Sequence, residues 1–428
     1  MLEIYLGLFI GKIIIAILRI SNRTATALPG LVIEKLFPNF LSLAREKISM
    51  VIVITGTNGK TSTQNLLSDI LINMYGKKVI VNAQGANLGR GLISQILKDF
   101  KLFSKNSFEY AIFEVEEATL PKIVAAIKPN YFIITNFFRD QLDAYGEIER
   151  TKNHVRNAIV KFPKAEVIAN SDDPQVCSML TGLPNNINYL SLEDYQEYLQ
   201  YEPGDKEAKR NLGNILVLPK LTINADLSST FIINNSPFKL NLPGFHNYYT
   251  FAYCYTFLKK IDLDLDSKLT RLATIVEAAK PVFGRGEIIR LKNNQEVQIF
   301  LIKNPVGFNL IMDLLTKLNY EFNLAILIND NLADGKDVSW LWDSNLDKIS
   351  NLKLKDIMVS GKRAADMLLR LKYVTPAITS SIDSLSYTQL VSKYSMPMVS
   401  NANHSKLIIL ATYTAMNQIR SLLLPLKM

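Results

Sequence analysis

A chain of 428 residues is too long for one ordinary core and points to two domains with room for a small third segment. Its 48% hydrophobic and 20% charged residues are those of a folded globular protein and exclude extended disorder. The formal charge of +9 suits an anionic partner, but no basic block and no nucleic-acid recognition motif is present, so phosphate-bearing ligands are expected rather than nucleic acid.

In chain order, the first twenty residues, MLEIYLGLFIGKIIIAILRI, are strongly apolar. Glu3, Lys12 and Arg19 interrupt the uncharged run that a membrane span requires, and no small-residue cleavage site follows. The expectation is a helix packed on the protein, ranked ahead of a membrane-surface helix and of a true span. Cys177 and Cys254 are the only cysteines, which excludes a disulfide framework and argues against structural zinc; the chain reads as cytoplasmic.

From Ser49 onward, apolar runs of strand length alternate with helical patterns: MVIVIT (50–55), KVIVN (78–82), YAIFEV (110–115), YFIITN (131–136) and EVIAN (166–170). Between the first two, Leu66, Leu67, Ile70, Leu71 and Met74 repeat with helical spacing. Uninterrupted apolar strands joined by such helices predict a parallel sheet covered on both faces. The polar segment 183–235 breaks this rhythm and is expected to be an insertion or a peripheral hairpin region. The alternation resumes at VQIFLI (297–302), LAILIN (324–329), DIMVS (356–360) and KLIILATY (406–413). The expected division is an apolar helix and linker over 1–45, a nucleotide-binding α/β domain over 46–284 and a second α/β domain over 285–428.

The stretch TGTNGKTS (55–62) lies between the first strand and the first helix. Gly56 and Gly59 permit a tight turn that aims the N–H groups of Thr57, Asn58 and their neighbours at an anion, where the positive end of the helix faces the same point. Lys60 adds charge for outer phosphates, and the hydroxyls of Thr61 and Ser62 follow, Thr61 placed to ligate Mg²⁺. At the end of the 110–115 strand stand Glu114, Glu116 and Glu117; Glu114, still in the strand, is the metal candidate, and the other two suit a helix start. Asn136 occupies the tip of the next strand, with Asp140 and Asp143 beyond it.

Taken together, TGTNGKT, FEVEE and TNFFRDQLDAYGE occur in the order seen in the Mur ligase superfamily of ATP-dependent amide-forming enzymes. The resemblance continues through IANSDDPQV, LPGFHNYYT (242–250) and VFGRGE (282–287). In detail it is most similar to the MurT family, the synthetase subunits of lipid II isoglutaminyl synthase, through GANLGRG, KNPVGFN (303–309), NDNLADGKDVSWLWD (329–343) and GKRAADMLLRLKY. The resemblance implies a Mur-type P-loop domain followed by a Rossmann-like C-terminal domain. It also implies ATP-dependent amidation of the D-glutamate α-carboxylate of lipid II, with ammonia from a GatD-like glutaminase partner. Lys60, Thr61 and Glu114 would serve ATP and Mg²⁺, and Asn136, Asn247 and Arg285 would line the nucleotide site. One aspartate would complete the partner's glutaminase triad, with Asp337 expected ahead of Asp343 and Asp334.

Departures are visible. The four-cysteine zinc ribbon common in the family has no counterpart and is expected to be replaced by 183–235. Gln141 stands where related ligases carry histidine, and Lys152 is out of register with their carbamylated lysine. A Mur-type ligase adding an amino acid to a muropeptide or folate, or a non-catalytic nucleotide-binding scaffold, are the alternatives.

Overall fold

The computed structural model describes residues 2–20, 27–82, 89–102, 108–137, 145–193, 215–281, 283–374, 382–395 and 406–428. Asp140, Gln141, Asp143 and the centre of the polar 183–235 segment lie outside the described residues. The protein is α/β throughout. Helices α1 (Leu2–Ile20), α2 (Leu28–Leu36) and α3 (Phe40–Arg45) precede a sheet of β1 (Ile48–Thr55), β2 (Val79–Val81), β3 (Phe108–Glu114), β4 (Tyr131–Ile134), β5 (Glu166–Asn170), β6 (Ile187–Leu192) and β7 (Ile215–Leu218). Their spatial order is β2-β3-β1-β4-β5-β6-β7, with every neighbouring pair parallel. The crossovers are α4 (Lys60–Tyr75), α5 (Gly89–Asp99), α6 (Leu120–Ile127), α7 (Tyr145–Val160) and α8 (Pro174–Leu180).

The alternation of side chains along β1 explains why its sequence is apolar without a break. Val51 and Val53 face one core with α1 to α3 and α5 to α8, whereas Ile52 and Ile54 face another with α4. That second core is closed by β8 (Thr222–Ile223), β9 (Ser229–Ile233), β10 (Ser236–Leu240), α9 (Phe245–Ile261) and α10 (Leu269–Ala278). The three short strands form a separate antiparallel sheet.

The second large sheet has the order β11-β12-β16-β13-β14-β15, from β11 (Arg285–Arg290), β12 (Glu296–Leu301), β13 (Phe322–Leu327), β14 (Leu354–Ser360), β15 (Asp383–Ser384) and β16 (Leu407–Ala411). β11 and β12 are antiparallel and the remaining pairs parallel. Helices α11 (Pro305–Leu315), α12 (Trp340–Asp343) and α13 (Ala364–Val374) cover one face, and α14 (Tyr387–Ser395) and α15 (Tyr413–Leu423) cover the other.

All nine strands expected from the sequence are present, within a few residues at their ends. The polar segment departs from expectation, because Ile187–Leu192 and Ile215–Leu218 extend the main parallel sheet rather than standing apart from it. Asn188 and Ser191 made the first of these strands look polar. In the fold the Ser191 hydroxyl donates to Asp172 Oδ1 at 2.6 Å, so the residue is buried with its bond made. Among the described residues no helix is long and apolar enough to cross a membrane.

The strand order places the site. The chain leaves β1 toward β2 on one side of the sheet and leaves β4 toward β5 on the other, so the carboxyl ends of β1 and β4 flank the switch point where ligands of open α/β sheets bind.

Candidate functional site

The loop after β1 and the loop after β4 meet at that switch point. Thr57 N donates to Asn136 O at 2.8 Å, Asn58 N donates to Asn136 Oδ1 at 2.9 Å, and Asn136 Nδ2 returns a bond to Asn58 O at 3.2 Å. One asparagine therefore fixes the loop by backbone and side chain together. Gly56 has φ +124°, and a Cβ there would stand 2.2 Å from Thr135 Oγ1 and 2.8 Å from Asn136 O, so no other residue fits. Gly59, at φ +88°, turns the chain into α4, whose first residues are Lys60, Thr61 and Ser62.

Lys60 Nζ donates to Gly56 O and forms an ion pair with Glu117 at 3.0 Å; the same Glu117 Oε1 accepts from Gly56 N at 2.9 Å. A carboxylate thus sits on the lysine and loop N–H that would meet a phosphate. Sequence reasoning assigned Glu117 only a helix-start role; its spacing three residues beyond Glu114 was the available signal. Glu116, by contrast, is exposed, which relieves the crowding of three acids.

Glu114 is buried and accepts from Thr61 Oγ1 at 2.6 Å through Oε2. Its backbone is held on both sides by Asn82, whose Oδ1 accepts from Glu114 N at 2.9 Å and whose Nδ2 donates to Glu114 O at 2.9 Å. Gln64 on α4 donates to Asn82 Oδ1 and Ile112 O, locking α4 to β3 behind the carboxylate. Thr61 and Glu114 together offer two hard oxygen ligands beside the loop, the donor set that Mg²⁺ accepts when a phosphate supplies further oxygens.

The second sheet contributes the opposite wall. Arg285, the first residue of β11, donates through Nη1 to Ser62 Oγ at 3.1 Å. Burial pushes its guanidinium below its ordinary pKa, and the charge of Glu114 acts against that shift. Between the sheets lies a cleft of about 630 Å³, open mouth included, lined by Asn58, Gly59, His246, Arg285, Lys303 and Asn304, among others. Asn304 caps α11 by accepting from Gly307 N at 2.8 Å.

α9 places His246 and Asn247 at this junction. Tyr253 OH donates to Thr135 O at 2.6 Å and anchors the helix to the end of β4. Asn247 Nδ2 donates to Pro243 O at 2.7 Å, and the residue lines a smaller hollow with Ser62, Asp69 and Arg285. Loss of hydration, and then the charge of Arg285, lower the His246 pKa to about 4, so the ring is neutral at neutral pH.

The remaining expected residue lies elsewhere. Asp337 does not line the cleft; it stands between β13 and α12, where Oδ1 accepts from Ser339 N at 2.8 Å. Bonds from Ser339 hold its carboxyl below the ordinary value. Asp334 is committed to structure, accepting from Thr414 N at 2.6 Å and Asn331 N at 3.1 Å, and Asp343 is exposed.

The comparisons with known proteins agree with this architecture. Residues 54–255 match the Mur ligase middle domain and residues 301–416 the MurT ligase C-terminal domain. The chain is 32% identical to the lipid II isoglutaminyl synthase (glutamine-hydrolyzing) subunit MurT of Streptococcus pneumoniae, over 99% of this chain and 97% of that protein. The chain belongs to the MurT family of Mur ligases. Solved Mur ligases share its fold. MurF from Acinetobacter baumannii superposes with a TM-score of 0.68 at 15% identity, covering 92% of this chain and 80% of that one. MurF from Thermotoga maritima in complex with ADP does so with 0.60 at 15% identity, covering 89% and 82%.

Two outcomes follow from the geometry. Glu117→Gln removes the carboxylate that competes for Lys60 and should tighten ATP about fivefold in titration calorimetry, the equivalent of a partly buried ion pair of about 1 kcal/mol; weaker Mg-ATP binding would assign Glu117 to the metal instead. His246 takes up a proton near pH 6.5 when unfolded but only near pH 4 when folded, so its contribution to stability is complete above pH 6.5 and is lost as pH falls toward 4. The wild-type Tm should therefore drop by a few degrees more between pH 7 and 5 than that of His246→Gln, and parallel profiles would contradict the assignment.

Proposed function

We propose that this protein is the synthetase subunit of a glutamine-hydrolysing lipid II isoglutaminyl synthase. The observation that carries the reading is the bond from Arg285 to Ser62, which brings a half-buried guanidinium of the second sheet to the glycine loop of the first. A carboxylate is a poor electrophile, and an enzyme that activates one with ATP needs cations converging on the transferred phosphoryl from both walls of a cleft. Lys60 and Arg285 supply them here. The ADP-bound Mur ligase of the same fold supports ATP as the nucleotide.

In this reading the N–H groups of the Gly56–Ser62 loop and Lys60 bind the phosphates. Asn136 keeps the loop in shape, and Asn247 and His246 border the nucleotide from α9. Thr61 and Glu114 are the ligands that would hold Mg²⁺, which when bound offsets the charge of the outer phosphates. An oxygen of the D-glutamate α-carboxylate attacks the γ-phosphorus and ADP leaves. Ammonia then attacks the acyl carbon and phosphate departs, leaving the D-isoglutamine amide. Arg285 and Lys60 oppose the charge that accumulates in both steps.

The relative's name, a subunit of a glutamine-hydrolyzing enzyme, supports a glutaminase partner as the source of ammonia. Asp337 suits the third position of that partner's triad. It is ionised, and Ser339 orients its carboxylate, the N–H donating to Oδ1 at 2.8 Å. Trp342 and Tyr373, 51% and 70% exposed with rings 5.6 Å apart, lie on elements following it and give the 285–428 unit an aromatic surface for that partner. The substrate's lipid places the complex at the inner face of the cell membrane.

Lys60→Ala should abolish amidation of lipid II while the complex with the glutaminase still elutes intact; amidation at the normal rate would overturn the site. Asp337→Asn should lose glutamine-dependent amidation and keep the reaction driven by ammonium salts, and loss of both would refute its place in the triad.

A further inference from the structure

Helix α1 is apolar on two opposite sides. Ile4, Leu8 and Ile15 are buried against the core, and Leu18 is buried on the same side. Gly7 and Gly11 let the helix lie close, since a Cβ on either would come within 2.7 Å of Phe40 or 2.5 Å of Leu97. At about 100° per residue, Tyr5, Leu6, Phe9, Ile13, Ile17 and Ile20 fall on the far side within an arc of roughly 120°. These six side chains are 41% to 86% exposed. With Leu28 and Leu36 of α2, they make eight of the 21 exposed large hydrophobic side chains among the described residues. Single exposed apolar residues are ordinary, but a continuous file along a 19-residue helix is not.

We propose that this outer face of α1 is a membrane-docking surface that lies flat in the headgroup region of a bilayer containing anionic lipid. The helix is about 28 Å long, and its inner face is held on the core, so it cannot turn to cross the bilayer. Arg19 falls at one edge of the apolar arc, near roughly 100° on the same wheel, while Glu3 lies beyond the opposite edge; Lys12, near roughly 120°, is turned inward and donates to Leu97 O at 2.9 Å. Within the arc there is no acidic residue. A chain of +9 is drawn to anionic lipid and repelled by its own copy, which favours a bilayer over self-association as the cover for this face. The choice of occupant rests also on the proposed lipid-linked substrate, which such docking would bring to the cleft.

The test is flotation of the full chain with vesicles of phosphatidylcholine alone and with 30% phosphatidylglycerol. The wild type should float with the anionic vesicles, less with the neutral ones and less again at high salt. Phe9→Ser/Ile13→Ser should reduce flotation at least tenfold at unchanged Tm. As a second readout that keeps the face apolar, the emission of Ile13→Trp should shift to the blue on adding anionic vesicles and stay unshifted without them. Equal flotation of wild type and double variant, or no blue shift, overturns the proposal. A wild-type dimer that the double variant makes monomeric, without flotation, overturns it in favour of a second copy. Amidation of detergent-dispersed lipid II separates the two readings: its absence refutes the proposed activity while leaving docking to be judged by flotation, and its retention by a double variant that no longer floats assigns α1 to docking alone.

Discussion

The site depends on the grip of Asn136 on the glycine loop. A loop of this kind binds an anion only if its N–H groups are held pointing at one place, and backbone left to itself would relax to satisfy them locally. Asn136 prevents this from the neighbouring strand with three hydrogen bonds to Thr57 and Asn58, and Gly56 makes the approach possible because it carries no Cβ. That contact exists only because β1 and β4 are adjacent at the point where the chain reverses direction across the sheet.

Charge is arranged around the clamp in layers. Lys60 and the Gly56 N–H face the carboxylate of Glu117, Thr61 faces Glu114, and Arg285 reaches across from the second sheet to Ser62. Removing water from buried charges is costly unless partners are near, so each ionic group here is placed beside an opposite charge or a hydrogen-bond partner. Behind them Asn82 and Gln64 bind backbone and one another, and so hold Glu114 in place without adding charge. The neutral His246 next to Arg285 adds no further positive charge to that wall.

Much of the fold was legible because its strands are buried on both faces, which makes Val51 to Ile54 or Leu324 to Leu327 apolar at every position. The strand Ile187–Leu192 was not, since Ser191 is buried by virtue of a bond to Asp172 that no local pattern reveals. The loop residues Gly56, Gly59, Lys60 and Thr61 were legible from spacing, whereas the engagement of Glu117 by Lys60 was not. Two residues 57 positions apart meet only when β1 and β3 pair. Asp334 and Asp337 looked alike in sequence and differ in the fold, where one caps α15 through Thr414 and the other is held by its near neighbour Ser339.

The amino-acid sequence by itself determined the α/β class, the family, the glycine loop and the apolar character of the first helix, because these rest on local periodicity and on residue types at short spacing. Tertiary structure alone decided that Asn136 clamps the loop, that Glu117 occupies its lysine, and that Arg285 arrives from a different sheet. It also decided that α1 hides one apolar side and bares the other. Each of these is a contact between distant residues, set by strand order and by which faces the cores consume.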